Sequence, residues 1–287
     1  MRERLAQGMI RGAKGGDGGG SGGGLTPTID QYVTDVNAVR SSNLSSTQET
    51  ALDEFWRRLG NRDGELSTDR QPDLAECFVT QARMNVDQGS TVFGLSGNVD
   101  LSVVGTPTFG STAYTCSDAS TSLNAPDGES LVTTSTWTCI THAEGYASSG
   151  EGRPMRIATL DNVAVTPGRT VFSQIKSVGD EQALVINDSS VIGQPAISIS
   201  PATTYATILD GSVPKLTSRT MSGGILTDKT LGSYAIDTSQ DFSIFNEKTL
   251  TSDRHYLGDL RLFMAFESDI STDLPALDTI INETLLA

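Results

Sequence analysis

Apolar positions recur at helical spacing at both ends of the chain. Near the start, Ile29, Tyr32, Val33 and Val36 follow Thr26, a candidate N-cap, and Pro27, whose missing N–H costs nothing in a first turn. Ser46 and Glu49 then have capping-box spacing, Leu52, Phe55, Trp56 and Leu59 line one face, and Gly60 offers a left-handed stop. Residues 26–66 therefore predict a helical hairpin. Two short amphipathic helices are marginal alone, so the hairpin must pack on itself and on the β-rich part of the chain, with Trp56 as an anchor. At the far end, Asp273 as cap, Pro275 in the first turn and the series Leu277, Ile280, Ile281, Thr284 and Leu285 predict a closing helix.

Between these helices the texture changes to Ser, Thr, Val, Ile and Gly, with turn signals at short intervals. Pro72–Met84 reads equally as helix or strand. Predicted strands are Val99–Val104, Leu131–His142, Arg156–Val165, Thr170–Val178, Ala183–Asn187, Ala196–Ser200, Thr204–Leu209, Leu216–Met221, Tyr234–Asp237 and Phe242–Phe245. Asp127-Gly128, Pro167-Gly168, Gly179-Asp180, Asp210-Gly211 and Gly223-Gly224 supply turns. The strongest strand is Leu257–Phe266, apolar on both faces, as for a strand inside a packed sandwich. Many short strands with few helices predict a mainly β chain: a two-sheet sandwich or jelly roll over residues 67–287.

Composition divides the chain further. Residues 15–24 read GGDGGGSGGG, and residues 15–25 are expected to act as a tether rather than as part of a core. Ahead of it, residues 1–14 carry Arg2, Arg4, Arg11 and Lys14 against Glu3, while Leu5, Met9 and Ile10 share a helical face. A head of +3 within a net charge of −15 leaves −18 for the remainder. A basic, weakly amphipathic peptide on a leash predicts docking through Arg2, Arg4, Leu5, Met9, Ile10, Arg11 and Lys14. The acidic body repels polyanions, so nucleic acid is not an expected partner. No stretch of 18 apolar residues predicts a membrane span, and the head lacks the apolar segment of a secretory signal.

Candidate chemistry is sparse. Cys77, Cys116 and Cys139 form no CxxC pair, and only His142 and His255 could join them on zinc, so reduced, buried thiols and assembly in a cytoplasm are expected. Glu267-Ser268-Asp269 begins the E-x-D-x-x-E string of concanavalin-type glucanases, but Thr272 stands where the last acid belongs. Glu144 and Glu151 have no partner at strand spacing. His142 at a strand end, facing a loop cleft, and His255 are the available general bases, with no G-x-S-x-G elbow. The glycine run lacks a P-loop ending. Asp161-Asn162 and Asn187-Asp188 are too few ligands for a calcium site, which stays a secondary option, so no cofactor is expected. Trp137, Tyr146 and Tyr205 could stack on a sugar, although a tryptophan in a sandwich is ordinarily core. The expectation is a chain that is not an enzyme.

Three stretches carry a resemblance. TPTIDQYVTDVNAV…LSSTQETALDEFWRRL resembles the short hairpin of tailed-bacteriophage virion proteins, which a glycine-rich region often precedes. VDLSVVGTPTFGSTAYTCSDASTSLNAP is similar to the entry strands of that family. RHYLGDLRLFMAFESDIS resembles the last strand of a laminin-G-like, concanavalin-type sandwich, with its step at Tyr256, Gly258 and Leu260. The likeness spans residues 26–287, in texture alone over residues 145–235. It implies a jelly-roll module displayed on a virion as a tail, neck or capsid fibre or decoration, anchored through residues 1–24 to other virion proteins. It also implies a homo-oligomer, with a trimer as one form. A host-surface glycan-binding adhesin is the alternative, and a polysaccharide depolymerase a third reading.

Overall fold

The structure is a computed structural model that describes residues 24–40, 42–79, 90–109, 114–116, 120–126, 131, 134–146, 154–161, 170–176, 181–183, 197–198, 203–213, 215–230, 241–244 and 258–286. Two helices come first, α1 (Pro27–Val39) and α2 (Ser46–Leu59). The strands are then β1 (Leu74–Val79), β2 (Thr91–Val92), β3 (Leu101–Val104), β4 (Thr108–Phe109), β5 (Tyr114–Cys116), β6 (Ser122–Asn124), β7 (Trp137–Tyr146) and β8 (Pro154–Asp161). They continue as β9 (Thr170–Lys176), β10 (Glu181–Ala183), β11 (Ile197–Ser198), β12 (Thr203–Asp210), β13 (Lys215–Thr220), β14 (Ile225–Thr230), β15 (Asp241–Ile244) and β16 (Gly258–Phe266). Helix α3 (Leu274–Thr284) comes last. The chain is mainly β, with few helices, as its strand-rich texture predicts.

The strands form two antiparallel sheets. The first runs β14-β13-β12-β7-β16-β5-β4, and the second β11-β10-β9-β8-β15-β6-β3-β2. Strand β16 is the keel of the first sheet. It pairs with β7 along one side; on the other, β5 takes Gly258–Leu260 and β1 takes Leu262–Phe266. Its two apolar faces have different partners. Leu262, Met264 and Phe266 join one core with Cys77, Val79, Ile140, Ile208, the hairpin's Ile29, Val36, Leu52 and Phe55, and the closing helix's Leu277 and Ile281. Phe263 faces the other way, where its ring lies 5.5 Å from that of Phe242 on β15 and 6.5 Å from that of Phe78 on β1. The layers are therefore helices, first sheet, second sheet. Each such side chain contributes roughly 1.5–3 kcal/mol on burial.

Local details correct the sequence reading. The capping box is one residue earlier than Ser46 and Glu49: Ser45 Oγ accepts Gln48 N, and Gln48 Oε1 accepts Ser45 N at 2.7 Å. Gly60 is not left-handed (φ −72°); Asn61 takes that conformation (φ 57°), and its side chain accepts Leu66 N. Thr26 and Asp273 occupy the N-cap positions without side-chain caps. Thr26 N instead donates to Asp53 Oδ1, and the Asp273 carboxylate turns to Ser67 and Arg70. Pro72–Met84 resolves in part as strand β1, wholly buried. The strand expected over Leu131–His142 begins only at Trp137 and runs on to Tyr146. Strands β2, β4, β5, β6 and β14 had no counterpart among the predicted strands, and Tyr234–Asp237 lies outside the described residues.

Candidate functional site

The expected general base does not stand in a loop cleft. His142 sits within the first sheet, in register with Thr204 of β12 on one side and Leu262 of β16 on the other. Its Nδ1 lies 2.6 Å from Thr204 Oγ1, and Nε2 is buried with no hydrogen-bond partner. Burial, and then the charge of Arg261, push the imidazole down to about 4, so it is neutral at neutral pH. No carboxylate is placed to orient the ring among its described partners.

Among the described residues the most enclosed carboxylate is Glu76 on β1, fully buried. Oε1 accepts Cys77 N and Ser96 N, and Oε2 accepts Asn98 N and Val99 N, at 2.7–3.0 Å. Burial raises its pKa, and these N–H donors counter part of that rise. With every lone pair directed at an amide, the group organises residues 94–99 and has no oxygen free for chemistry.

Asp269 is exposed and its Oδ1 accepts Ser271 N, closing a turn, while Glu267 N donates to Asp73 O. Glu144 falls within β7. A shallow groove lined by Ser46, Thr50, Glu54 and Glu283 also offers no free acid: Arg62 holds Glu54 and Arg58 holds Glu283. Trp137 is fully buried, so it is core and not a sugar platform. Cys77 and Cys139 are buried free thiols that burial pushes up, Cys139 to about 12. No metal-competent cluster occurs among the described residues. The docking residues Arg2, Arg4, Leu5, Met9, Ile10, Arg11 and Lys14 lie outside them, as do Glu151, Asn162, Asn187, Asp188 and His255; so do the side chains of Cys116, Glu144, Tyr146, Asp161 and Tyr205. No described helix is long and apolar enough to cross a membrane.

Sequence reasoning missed an arrangement on the second sheet. Thr91 pairs with Ser102, Ser102 with Asn124, and Asn124 with Ser243, one residue from each of β2, β3, β6 and β15. Directly paired residues share a face. Leu101, Leu123, Phe242 and Ile244 fill the opposite, inward face, so this row points away from the first sheet. Ser102 is exposed, Asn124 is 7% exposed and Ser243 is 0% exposed. Asn124 Oδ1 and Ser243 Oγ have no hydrogen-bond partner, nor has the buried Ser122 Oγ on the same face of β6. No sequence signal marks this row, because its members are four common polar residues brought together only by register.

No family model matches the chain, and no curated protein matches it. Solved structures do. A Trypanosoma rangeli sialidase in covalent complex with 2,3-difluorosialic acid aligns with a TM-score of 0.54 and 10% identity, over 91% of this chain and 39% of that one. The same sialidase with sialic acid gives 0.53 and 10%, over 83% and 39%. Domain 4 of the arabinanase AbnA from Geobacillus stearothermophilus, in complex with arabinotriose, gives 0.48 and 12%, over 71% of this chain and 98% of that one. The chain thus spans about two fifths of the length of the sialidases it matches. These findings correct the expectation that the chain is not an enzyme: the larger chains in which this fold recurs are glycoside hydrolases, so lack of a linear acid motif does not exclude the class. At this identity, what the chain shares with the sialidases is the fold.

Proposed function

We propose that the chain is a glycan-recognising attachment module: a concanavalin- or laminin-G-like jelly roll tied by its N-terminus to a tailed-phage particle. The observation that carries this reading is the one-sided helical layer. All three helices pack against the first sheet, while the second sheet carries no helix among the described residues. A fold held in common with chains that act on sialic acid supports a carbohydrate setting. The +3 head and the glycine run support anchorage, with the tether giving reach and several copies per particle giving avidity.

The full chain applied to a broad glycan array tests the reading. Binding to a defined set of glycans is expected; a folded chain that binds none overturns it. Incubating the bound oligosaccharide with the same chain and measuring reducing ends decides between recognition and turnover. For anchorage, deletion of residues 1–14 is expected to give folded protein that fails to join particles, and normal incorporation would refute that part.

A further inference from the structure

We propose that the groove between α2 and α3 is the seat of the chain's own basic head, residues 1–14, which occupies it in cis in the free chain. This rests on the anchorage reading above, in which the head is a docking peptide, and adds the surface that holds it before docking. The groove encloses about 390 Å³ and is lined by Thr47, Thr50, Ala51 and Glu54 of α2 and by Glu283 and Thr284 of α3. Its chemistry changes along its length. Around Thr47, Thr50 and Ala51 the side chains are small and uncharged, which leaves room for Leu5, Met9 and Ile10 on the head's helical face. Toward Glu54 and Glu283 the groove is acidic. Both are paired, yet Arg58 is shared by Glu65 and Glu283, and Arg62 by Glu54 and Asp63, so two cations face four carboxylates. Glu283 keeps 59% of its side chain exposed, and α3 ends beside it with no basic residue in its last turn, which adds the negative end of a helix. That end of the groove fits a cation.

The place where the tether meets the fold selects the head as occupant. Gly24 O accepts from Arg57 Nη2 on α2, and Thr26 N donates to Asp53 Oδ1. Ser46, Thr50, Asp53 and Arg57 follow one another at i, i+4, i+7 and i+11, so this entry point and the groove share one side of α2. Glu54 is next to Asp53, and Ser46 lies seven residues further, about 10 Å along the helix. Residues 15–23 read GGDGGGSGG, and a glycine-rich coil of that length spans about 15–18 Å. The tether thus matches the distance to be crossed and gives the head an effective concentration on the order of millimolar at the groove, so a shallow contact suffices to hold it. Order along the chain agrees with the polarity of the groove. Arg11 and Lys14, nearest the tether, meet the acidic end by Glu54 and Glu283, and Leu5, Met9 and Ile10 reach the uncharged end.

The test uses the full chain, free of particles, at low salt. A carbodiimide condenses the Lys14 amine with a carboxylate in contact with it, and mass spectrometry of the digested monomer band identifies the acid. Links from Lys14 to Glu54 and Glu283 are expected to dominate, and to fade as added salt screens the contact. Two variants check the assignment. Thr50→Arg fills the groove and adds a cation to it; Thr50 is exposed, so that variant keeps its fold, which circular dichroism verifies. Arg11→Glu reverses a charge in the head and leaves the body of the chain untouched. Both are expected to lose the two links. Links scattered over many acids of the chain, or links to Glu54 and Glu283 that persist in Thr50→Arg, overturn the seat and leave the anchorage reading intact. Links found in a covalent dimer, with a yield that grows with concentration, overturn the cis arrangement and give the groove to the head of a second copy. The particle assay fails independently: a chain without residues 1–14 that still joins particles removes the anchorage reading, whatever Lys14 links to in the free chain.

Discussion

Arg70 Nε donates to Asp273 Oδ2 at 2.6 Å although 203 residues separate the two along the chain. Both are almost fully buried. Ser67 adds its N–H and hydroxyl to the same carboxylate, and Asp73 accepts from Arg70 and from Ser268 beyond β16. This network joins the segment leaving the hairpin, the entry to β1, the exit of β16 and the start of α3. It explains why Asp273 does not cap its own helix.

Removing Arg70 leaves a buried carboxylate with its cation gone. Arg70→Met is expected to destabilise the fold by roughly 3–5 kcal/mol. Asp273 also makes stability depend on pH. Burial pushes its pKa up, but the Ser67 donors and the Arg70 charge outweigh burial and hold it below the ordinary 3.8. A depressed carboxylate stabilises above its unfolded pKa, and that contribution disappears as the pH falls through the folded value. Urea unfolding from about pH 5 down to about pH 2 should therefore show a shallower loss in Asp273→Asn than in wild type; parallel curves would refute the assignment.

Glu76 gives a second prediction. Glu76→Gln replaces one acceptor oxygen with an NH2 group facing two backbone donors. Each amide left without an acceptor costs about 1–3 kcal/mol, so a marked drop in the denaturation midpoint is expected despite the conserved shape. Gly94→Ala should fail for a related reason: its Cβ would collide with the Glu76 carboxylate and with Val99 O. Hydrogen exchange at the amides of Ser96, Asn98 and Val99 is expected to quicken in both variants, and unchanged protection would count against the buried-carboxylate anchor.

These residues show which features the sequence carried. The periodicities of Ile29–Val36, Leu52–Leu59 and Leu277–Leu285 and the doubly apolar β16 were legible because each depends on neighbours within one element. The cap at Asp273 failed because Ser67 and Arg70 draw its carboxylate, and such long-range competition has no local signature. Strand β1 stayed ambiguous because a run buried on both faces loses its alternation. The Ser102–Asn124–Ser243 row was invisible for the same reason that the network was: it exists only in register.

His142 is expected to sensitise the fold to mild acid. Its pKa is pushed down to about 4 in the folded chain from 6.5. The unfolded chain therefore binds a proton that the folded one refuses, and stability falls as the pH drops from 6.5 towards 4. The loss amounts to at most about 3 kcal/mol. Ser, Gln or Asn at this position removes the titration, so the stability of His142→Gln should be flatter across that interval. An NMR titration of wild type placing the imidazole midpoint near 6.5 would show that the ring is not enclosed.

The helical hairpin and the sheets are expected to unfold together. The hairpin's Leu52 and Phe55 lie in the same core as Ile140, Leu262, Met264 and Ile281, so the hairpin has no core apart from the sheet, and the first sheet's helix-facing side depends on it for cover. The two tryptophans report on the two parts: Trp56 is on α2 and Trp137 begins β7. In single-tryptophan variants, Trp56→Phe and Trp137→Phe, fluorescence should give the same urea midpoint once each variant's own stability is measured by circular dichroism. Phe55→Ala, which empties a fully buried site, is expected to cost about 3–5 kcal/mol and to lower the midpoint seen by both reporters equally. A transition at Trp56 well before that at Trp137 would mean that the hairpin detaches as a separate unit. The sheet face beneath it, with Val79, Ile208 and Met264, would then be exposed to water, and dye binding to apolar surface would appear between the two transitions.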